Sequence, residues 1–312
     1  MIDEIKLLVE IQFIATGRRK VLNEYLLTMK LSPGVFQKFL TVESVREVFH
    51  ISCVTTDMVW ISDPNGQIIL TNRKGTRLHT LTDTVGRTGG HTVTSKGTLI
   101  YIDKYYNINK LSKDNKTEYT FVKSTETWGA RCVYCSPINE DLLVGMRRYK
   151  KDNPTNNDAK VMRYSIEGRE IQTIHHSNTG QKLYKFPKYI TENHNGDIIV
   201  SDLYNHAVVV TDRGGRHRFS YTGLPPKSQL SPQGICVDGL SHILVSDAIS
   251  NTVQMVDKDD NFITLLFNIK FMIQATQALG YDNRSHLLWT GTSDDDNTLC
   301  VYRYIFQRNH LI

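Results

Sequence analysis

Six short segments of one texture recur along the chain, and their recurrence constrains the fold more than any other feature. They are Val59-Trp60-Ile61-Ser62-Asp63, Leu99-Ile100-Tyr101-Ile102-Asp103, Leu142-Leu143-Val144-Gly145-Met146, Ile198-Ile199-Val200-Ser201-Asp202, Ile243-Leu244-Val245-Ser246-Asp247 and Leu287-Leu288-Trp289-Thr290-Gly291. They end at residues 63, 103, 145, 202, 247 and about 291, so the steps are 40, 42, 57, 45 and 44 residues. Each is apolar and rich in β-branched or aromatic residues, as a buried strand is. A polar turn and another strand-like run precede each one, as 235–237 and Asp238-Gly239 precede the fifth. A third run follows, at 68–71, 207–211 or 253–256, then a second turn such as Arg213-Gly214-Gly215. A fourth run closes the unit, at 79–81, 218–221 or 262–267. Four antiparallel strands every 40 to 45 residues describe a propeller blade, and six units predict an all-β, six-bladed β-propeller.

The last unit has only three runs, at 278–281, 287–290 and 299–305. Its fourth strand is expected from 35–42, upstream of the first unit, which would lock the ring and cover an exposed edge. The predicted organisation is therefore a helical extension over 1–34, one propeller over 35–306 and a tail over 307–312. In the extension, Val21, Leu22, Tyr25, Leu26 and Met29 recur at helical spacing and stop before Ser32-Pro33-Gly34. Residues 1–31 are expected to dock on the ring or to self-associate. The long third step contains a polar insertion, Lys150-Lys151-Asp152-Asn153-Pro154, that reads as a surface loop.

Two stretches carry a family resemblance. One is Pro187-Lys188-Tyr189-Ile190, then Asn195-Gly196-Asp197, then Ile198 to Asp202 and Asn205-His206-Ala207. The other is Pro232-Gln233-Gly234-Ile235, then Ser246-Asp247, then Asn251-Thr252-Val253. Both resemble NHL repeats, and the chain after residue 35 is similar to the NHL propellers of tripartite-motif (TRIM-NHL) proteins. The pattern is full in blades 4 and 5. Blades 3 and 6 end in Gly145 and Gly291 where the others have Asp. The resemblance implies a propeller that binds protein or RNA beside a RING and B-boxes that act in ubiquitination. Those zinc modules need arrays of Cys and His. This chain has a single Cys-x-x-Cys, Cys132 and Cys135, so target binding is carried over and ligase activity is not.

Composition fits a globular chain: 312 residues, 40% hydrophobic and 22% charged, with a net charge of +5. No run reaches the roughly 18 apolar residues of a membrane span, and acidic residues at 3, 4 and 10 speak against a secretory signal. Five cysteines, an odd number, suit a reducing compartment, so a cytoplasmic location without membrane contact is expected.

The remaining motifs divide between chemistry and plain structure. Cys132 and Cys135 lie three apart on an expected strand, so they point to opposite faces and do not share an ion. Asp63, Asp103, Asp202 and Asp247 end equivalent strands and are expected to accept backbone N–H bonds in the following turn rather than to bind calcium. Asp294-Asp295-Asp296-Asn297 lacks the spacing of a calcium loop. Arg213-Gly214-Gly215-Arg216 reads as a hairpin turn. His50 and His91 begin inner strands, but the other blades begin with Trp128, Pro187, Pro232 and Gln277, which supply no matching ligands. No nucleophile elbow, zinc-helix or phosphate-loop motif occurs. The expectation is a non-enzyme with no catalytic residue, no cofactor and no metal. A metal-dependent propeller hydrolase or lyase is the weakest alternative.

Charge distribution supplies the candidate surface. Residues 87–163 carry a net +6 and residues 228–300 a net −6. On the face built by loops after second strands, blade 2 offers Lys104, Tyr105 and Tyr106, and blade 3 offers Arg147, Arg148, Tyr149, Lys150 and Lys151. Arg87 and Lys123 flank them. The expected function is macromolecular recognition. A protein partner is the first reading, with recruitment of targets for ubiquitination implied by the resemblance. Single-stranded RNA, held by cations beside aromatic rings, is the second.

Overall fold

The computed structural model describes residues 29–42, 45, 47–82, 89–112, 118–148, 158–224, 229–268, 276–292 and 298–307. The chain starts with β1 (Met29–Thr41). Blade 1 is β2 (His50–Cys53), β3 (Met58–Ser62), β4 (Ile68–Asn72) and β5 (Arg77–Leu81). Blade 2 is β6 (His91–Val93), β7 (Leu99–Ile102), β8 (Ile108–Leu111) and β9 (Glu118–Val122). Blade 3 is β10 (Trp128–Cys135), β11 (Leu142–Arg148), β12 (Ala159–Tyr164) and β13 (Glu170–Ile174). Blade 4 is β14 (Pro187–Glu192), β15 (Ile198–Asp202), β16 (Ala207–Thr211) and β17 (His217–Tyr221). Blade 5 is β18 (Pro232–Val237), β19 (Ile243–Asp247), β20 (Thr252–Val256) and β21 (Phe262–Asn268). Blade 6 is β22 (Thr276–Asp282), β23 (Leu287–Thr292) and β24 (Thr298–Gln307), completed by β1.

Each blade is an antiparallel sheet, in chain order except for β1 at the outer edge of blade 6, and each first strand touches the first strand of the next blade, with β22 returning to β2. The predicted six-bladed propeller and its closing strand are therefore what the chain forms. The second strands are buried on both faces, which is why they read as continuous apolar runs. One hydrophobic cluster fills each gap between neighbouring blades, such as Ile190, Val200 and Val209 with Cys132, Leu143 and Val161 between blades 3 and 4. Trp289, Val301 and Ile61 fill the gap between blades 6 and 1.

Two boundaries differ from expectation. β1 begins at Met29, six residues before the expected start at residue 35, and Met29, Lys30 and Leu31 pair with Gln307, Phe306 and Ile305. Local helical spacing predicted otherwise because pairing with a strand some 270 residues away leaves no local trace. The register shift between Leu31 and Val35 spans Pro33, which cannot donate to a ladder. Residues 1–28 of the helical extension expected over 1–34, and residues 308–312 of the tail expected over 307–312, lie outside the described residues.

The second difference concerns Gly145 and Gly291. Cys132 opposes Gly145, and Ala278 opposes Gly291, as Tyr189 opposes Ser201. The glycines therefore match Ser201, and Met146 and Thr292 take the place of Asp202. At this level Ser62 and Ser201 donate hydroxyl hydrogen bonds to carbonyls at the start of the next blade, Gly89 and Pro232, and Ser246 donates to Gly234 of its own blade. The glycines instead admit direct packing: a Cβ on Gly291 would lie 2.4 Å from Val48 Cβ, and one on Gly145 would lie 2.7 Å from Pro187 Cβ. Gly291→Ala is expected to destabilise the ring by about 2 kcal/mol through overpacking. Ser201→Ala should cost about 1 kcal/mol for its lost hydrogen bond. Denaturant midpoints of the two variants check both values.

Candidate functional site

The turn between β7 and β8 builds the first part of the basic face. Asp103 ends blade 2's second strand, and its carboxylate accepts N–H bonds from Tyr105 at 2.8 Å and Asn107 at 2.9 Å. Tyr106 takes a left-handed conformation, φ 65°, to close that turn. Ser124 donates to the Tyr105 carbonyl at 2.8 Å, which sets exposed Lys123 beside the turn. Tyr105 is 66% exposed, with Lys104 Nζ 5.5 Å from its ring centre.

Blade 3 supplies two arginines. The bulge between Ala130 and Cys132 projects Arg131 from β10. Its guanidinium lies 5.5 Å from the Tyr106 ring and 5.3 Å from the Phe186 ring. Arg147, near the end of β11, lies 5.1 Å from the Phe186 ring and 5.4 Å from the Tyr204 ring. Phe186 and Tyr204 are themselves 4.7 Å apart. The result is a ladder that alternates ring and guanidinium: Tyr106, Arg131, Phe186, Arg147, Tyr204. Such stacking orders a guanidinium that would otherwise be flexible.

The Asp at the end of β15 places the ladder's blade 4 members. Asp202 accepts N–H bonds from Lys185 at 2.7 Å, Phe186 at 2.9 Å and Asn205 at 3.1 Å. The same carboxylate therefore fixes the segment bearing Phe186 and the turn bearing Tyr204. Asp247 repeats this in blade 5 on Ser231 and Ile249. Asp63 and Asp103 accept backbone N–H bonds from their own turns, and Asp103 also takes the Asn109 amide at 3.1 Å. All four accept an N–H bond from the turn that follows, as expected, and Asp202 and Asp247 reach back to an upstream segment as well.

Successive side chains on β11 point to opposite faces, and Arg148 leaves the ladder. It sits 3.7 Å from Asp158, which also takes His175 at 2.7 Å and Lys182 at 3.1 Å. Burial works to raise the Asp158 carboxyl, but the hydrogen bonds and charges of His175 and Lys182 prevail and hold it below the usual carboxylate range. Of the candidate residues, the structure thus brings together Tyr106 and Arg147, sets Lys104, Tyr105 and Lys123 beside them, and separates Arg148. Arg87, Tyr149, Lys150 and Lys151 lie outside the described residues. Arg131, Phe186 and Tyr204 were not anticipated. Their adjacency is created by three separate loops and a bulge, and only Phe186, immediately before the Pro of an NHL-like stretch, had a positional cue.

The cysteine pair behaves as its spacing predicts: Cys132 packs between blades 3 and 4 and Cys135 between blades 2 and 3. Burial pushes the Cys135 thiol up to about 12 and Cys132 higher still. Among the described residues, no three His, Cys, Asp or Glu side chains converge as a metal site. One group has a chemically useful shift. Burial lowers Lys188, which starts beside Pro187 in blade 4 and donates to Gln233 Oε1, to about 8.

No family model and no curated protein matches the chain. The likeness to NHL repeats accordingly rests on the motif residues alone. Solved structures do match. A gluconolactonase from Xanthomonas campestris superposes with a TM-score of 0.63 at 13% identity, covering 88% of this chain and 98% of that one. Virginiamycin B lyase from Staphylococcus aureus gives 0.54 at 14% identity, covering 88% and 99%. A chain of a nidogen/laminin complex gives 0.58 at 12% identity, covering 75% and 85%. These superpositions show a shared propeller fold and nothing finer. The expectation that the chain is not an enzyme is overturned here, since two of these neighbours are enzymes. It relied on missing linear motifs, and a propeller can assemble a site from residues on six separate strands that no linear motif records.

Proposed function

We propose that the chain is a recognition module that binds an acidic segment of a protein partner on the face carrying the ladder. The ladder carries this reading. Its two guanidiniums are pre-ordered by stacking against Tyr106, Phe186 and Tyr204, so little side-chain entropy is lost when a carboxylate pairs with them. Arginine and tyrosine are also the residues on which protein interfaces concentrate binding energy. The nidogen/laminin neighbour is a propeller found with a protein partner. The NHL-like stretches of blades 4 and 5 favour kinship with TRIM-NHL propellers, in which case the bound protein is a target brought to a ubiquitination partner. Five free thiols favour a cytoplasmic setting.

RNA is the less favoured ligand because base stacking needs open aromatic faces. Phe186 already has two guanidiniums on its ring. A glutamate decamer and a uridine decamer, titrated at equal ionic strength, separate the readings. The peptide is expected to bind more tightly, and Arg147→Glu should weaken it by about 30-fold, the loss of a charge-assisted pair. Arg148→Glu should change it far less, because that side chain serves Asp158. Tighter binding of the uridine decamer, lost in the Arg147 variant, would transfer the face to RNA. No binding of either would remove the reading.

A further inference from the structure

The opposite end of the ring holds a second feature, a cavity of about 270 Å³ in the central channel. Its mouth lies among the turns between first and second strands, lined by Val54, Ser95, Pro137 and Asn283. The ladder is built at the other end of the strands, so the cavity is independent of it.

The walls come from one structural level. Ser52, Thr92, Tyr134, Thr191, Cys236 and Gly280 line the cavity and occupy the same position in the first strands of blades 1 to 6. Each opposes the corresponding second-strand residue, from Trp60 and Ile100 through Leu143, Ile199 and Leu244 to Trp289. Five of the six positions thus present a hydroxyl or thiol to the channel, and blade 6 presents none. Nothing in the closure of a propeller requires this, since apolar side chains at these positions would fill the channel and bury more apolar surface.

The hydrogen-bonding capacity of this collar is only partly used, with Tyr134 and Thr191 bonded to each other. Ser52 donates to the His91 carbonyl at 3.2 Å and keeps its lone pairs. Thr92 Oγ1 accepts from Cys135 N at 3.1 Å and keeps its proton. His50, two residues above Ser52, lines the same cavity. Its ring is fixed by stacking on Tyr189 at 5.3 Å and by an edge contact with His91 at 4.5 Å, yet its Nδ1 is buried with no hydrogen-bond partner. A buried polar atom left in this state costs about 1–3 kcal/mol unless something bonds to it.

The collar is also uncharged. Burial keeps the His50 imidazole neutral and the Cys236 thiol protonated at pH 7. At the mouth, Asp282 is engaged by Arg284 N at 3.0 Å and by the Ser285 hydroxyl, and Arg284 donates to the Val54 carbonyl at 3.2 Å. An ion entering the channel would lose its hydration without meeting an opposite charge. We propose that the channel binds a small uncharged polyol, a sugar or a cyclitol, whose hydroxyls bond to the collar and to His50 Nδ1. Such a ligand both donates and accepts, as the mixed capacity of Ser52 and Thr92 requires.

Saturation-transfer NMR and calorimetry with myo-inositol, D-glucose and D-gluconate test this on the full chain. At least one neutral probe is expected to bind one-to-one and at least tenfold more tightly than gluconate. Thr191→Val, close to isosteric, should weaken it by about tenfold for its lost hydrogen bonding. Arg147→Glu should leave it unchanged, so failure here and failure of the ladder reading are separable. In protein labelled with ¹⁵N-histidine, saturation with the binding probe should move the His50 Nδ1 resonance, a readout that does not depend on any variant folding. No saturation transfer from either neutral probe, gluconate binding as tightly, or an unmoved His50 resonance would overturn the proposal.

Discussion

Asp202→Ala is expected to lower stability by about 3 kcal/mol or more. The side chain is fully buried, and its two oxygens serve three backbone N–H groups, those of Lys185, Phe186 and Asn205, besides the Asn205 amide. Alanine removes every one of those acceptors at once. A buried donor left unsatisfied costs about 1–3 kcal/mol, and water entering the space would recover part of the sum for three donors. For a chain of this size about 3 kcal/mol corresponds to a fall in Tm of roughly 5 °C. Burial raises the Asp202 carboxyl while the backbone N–H groups act to lower it, which marks a site where acceptor capacity matters more than charge. Asp202→Asn, which keeps one carbonyl oxygen, should therefore recover about half of the loss. Calorimetric melts of the two variants beside Asp212→Ala, at a largely exposed turn, check the order. Because Asp202 also fixes Phe186 and the Tyr204 turn, Asp202→Ala should weaken peptide binding at temperatures where the ring is still folded. An unchanged affinity would show that the ladder is held without this carboxylate.

The parts of this arrangement that the sequence discloses are those set by local chemistry. Asp63, Asp103, Asp202 and Asp247 end apolar runs before polar turns, and an Asp there bonds the backbone just ahead of it. The period follows from repeating that unit, and the six blades follow from the period. The incomplete sixth unit discloses the closing strand, though not its first six residues, whose partners lie at the other end of the chain. At the candidate face, Lys104, Tyr105, Tyr106 and Arg147 were visible because charge and ring are adjacent in sequence. Arg131 was hidden by a bulge that strand alternation does not predict. Phe186 and Tyr204 were hidden because the loops that bring them to Arg147 are adjacent only once the ring closes. The collar was hidden for a related reason. Ser52, Thr92, Tyr134, Thr191 and Cys236 are spaced about one blade apart, and each alone is an ordinary polar residue in a short strand.

Acid is expected to destabilise the ring well above the pH at which ordinary carboxylates titrate, and His91 is the principal cause. Its ring is fully buried, with Nδ1 2.9 Å from the Gly89 carbonyl and Nε2 3.2 Å from the Trp60 carbonyl. Burial lowers its pKa to about 4, against the pull of those two carbonyls, which favour the charged ring. In the unfolded chain the same imidazole titrates near its ordinary value of about 6.5. The folded protein therefore binds this proton less readily than the unfolded one. The stabilisation is complete above pH about 6.5, shrinks as the pH falls, and is gone below about 4. Its full span is about 3 kcal/mol, from roughly 2.5 pH units at 1.36 kcal/mol each. His50, 4.5 Å away and also lowered by burial and by its neighbour, steepens the same interval. Asp158 acts in a different one: its carboxyl lies below the usual range, so its stabilisation is lost only as the pH falls below about 4. Urea midpoints measured between pH 7 and pH 4 should thus fall steadily, and in His91→Gln, whose side chain cannot take up the proton, the slope should flatten even though the variant is less stable at pH 7. A slope unchanged by the substitution would assign the acid sensitivity to other groups. A free energy of unfolding that stays level down to pH 4 would mean that the two carbonyls hold His91 charged in the folded ring.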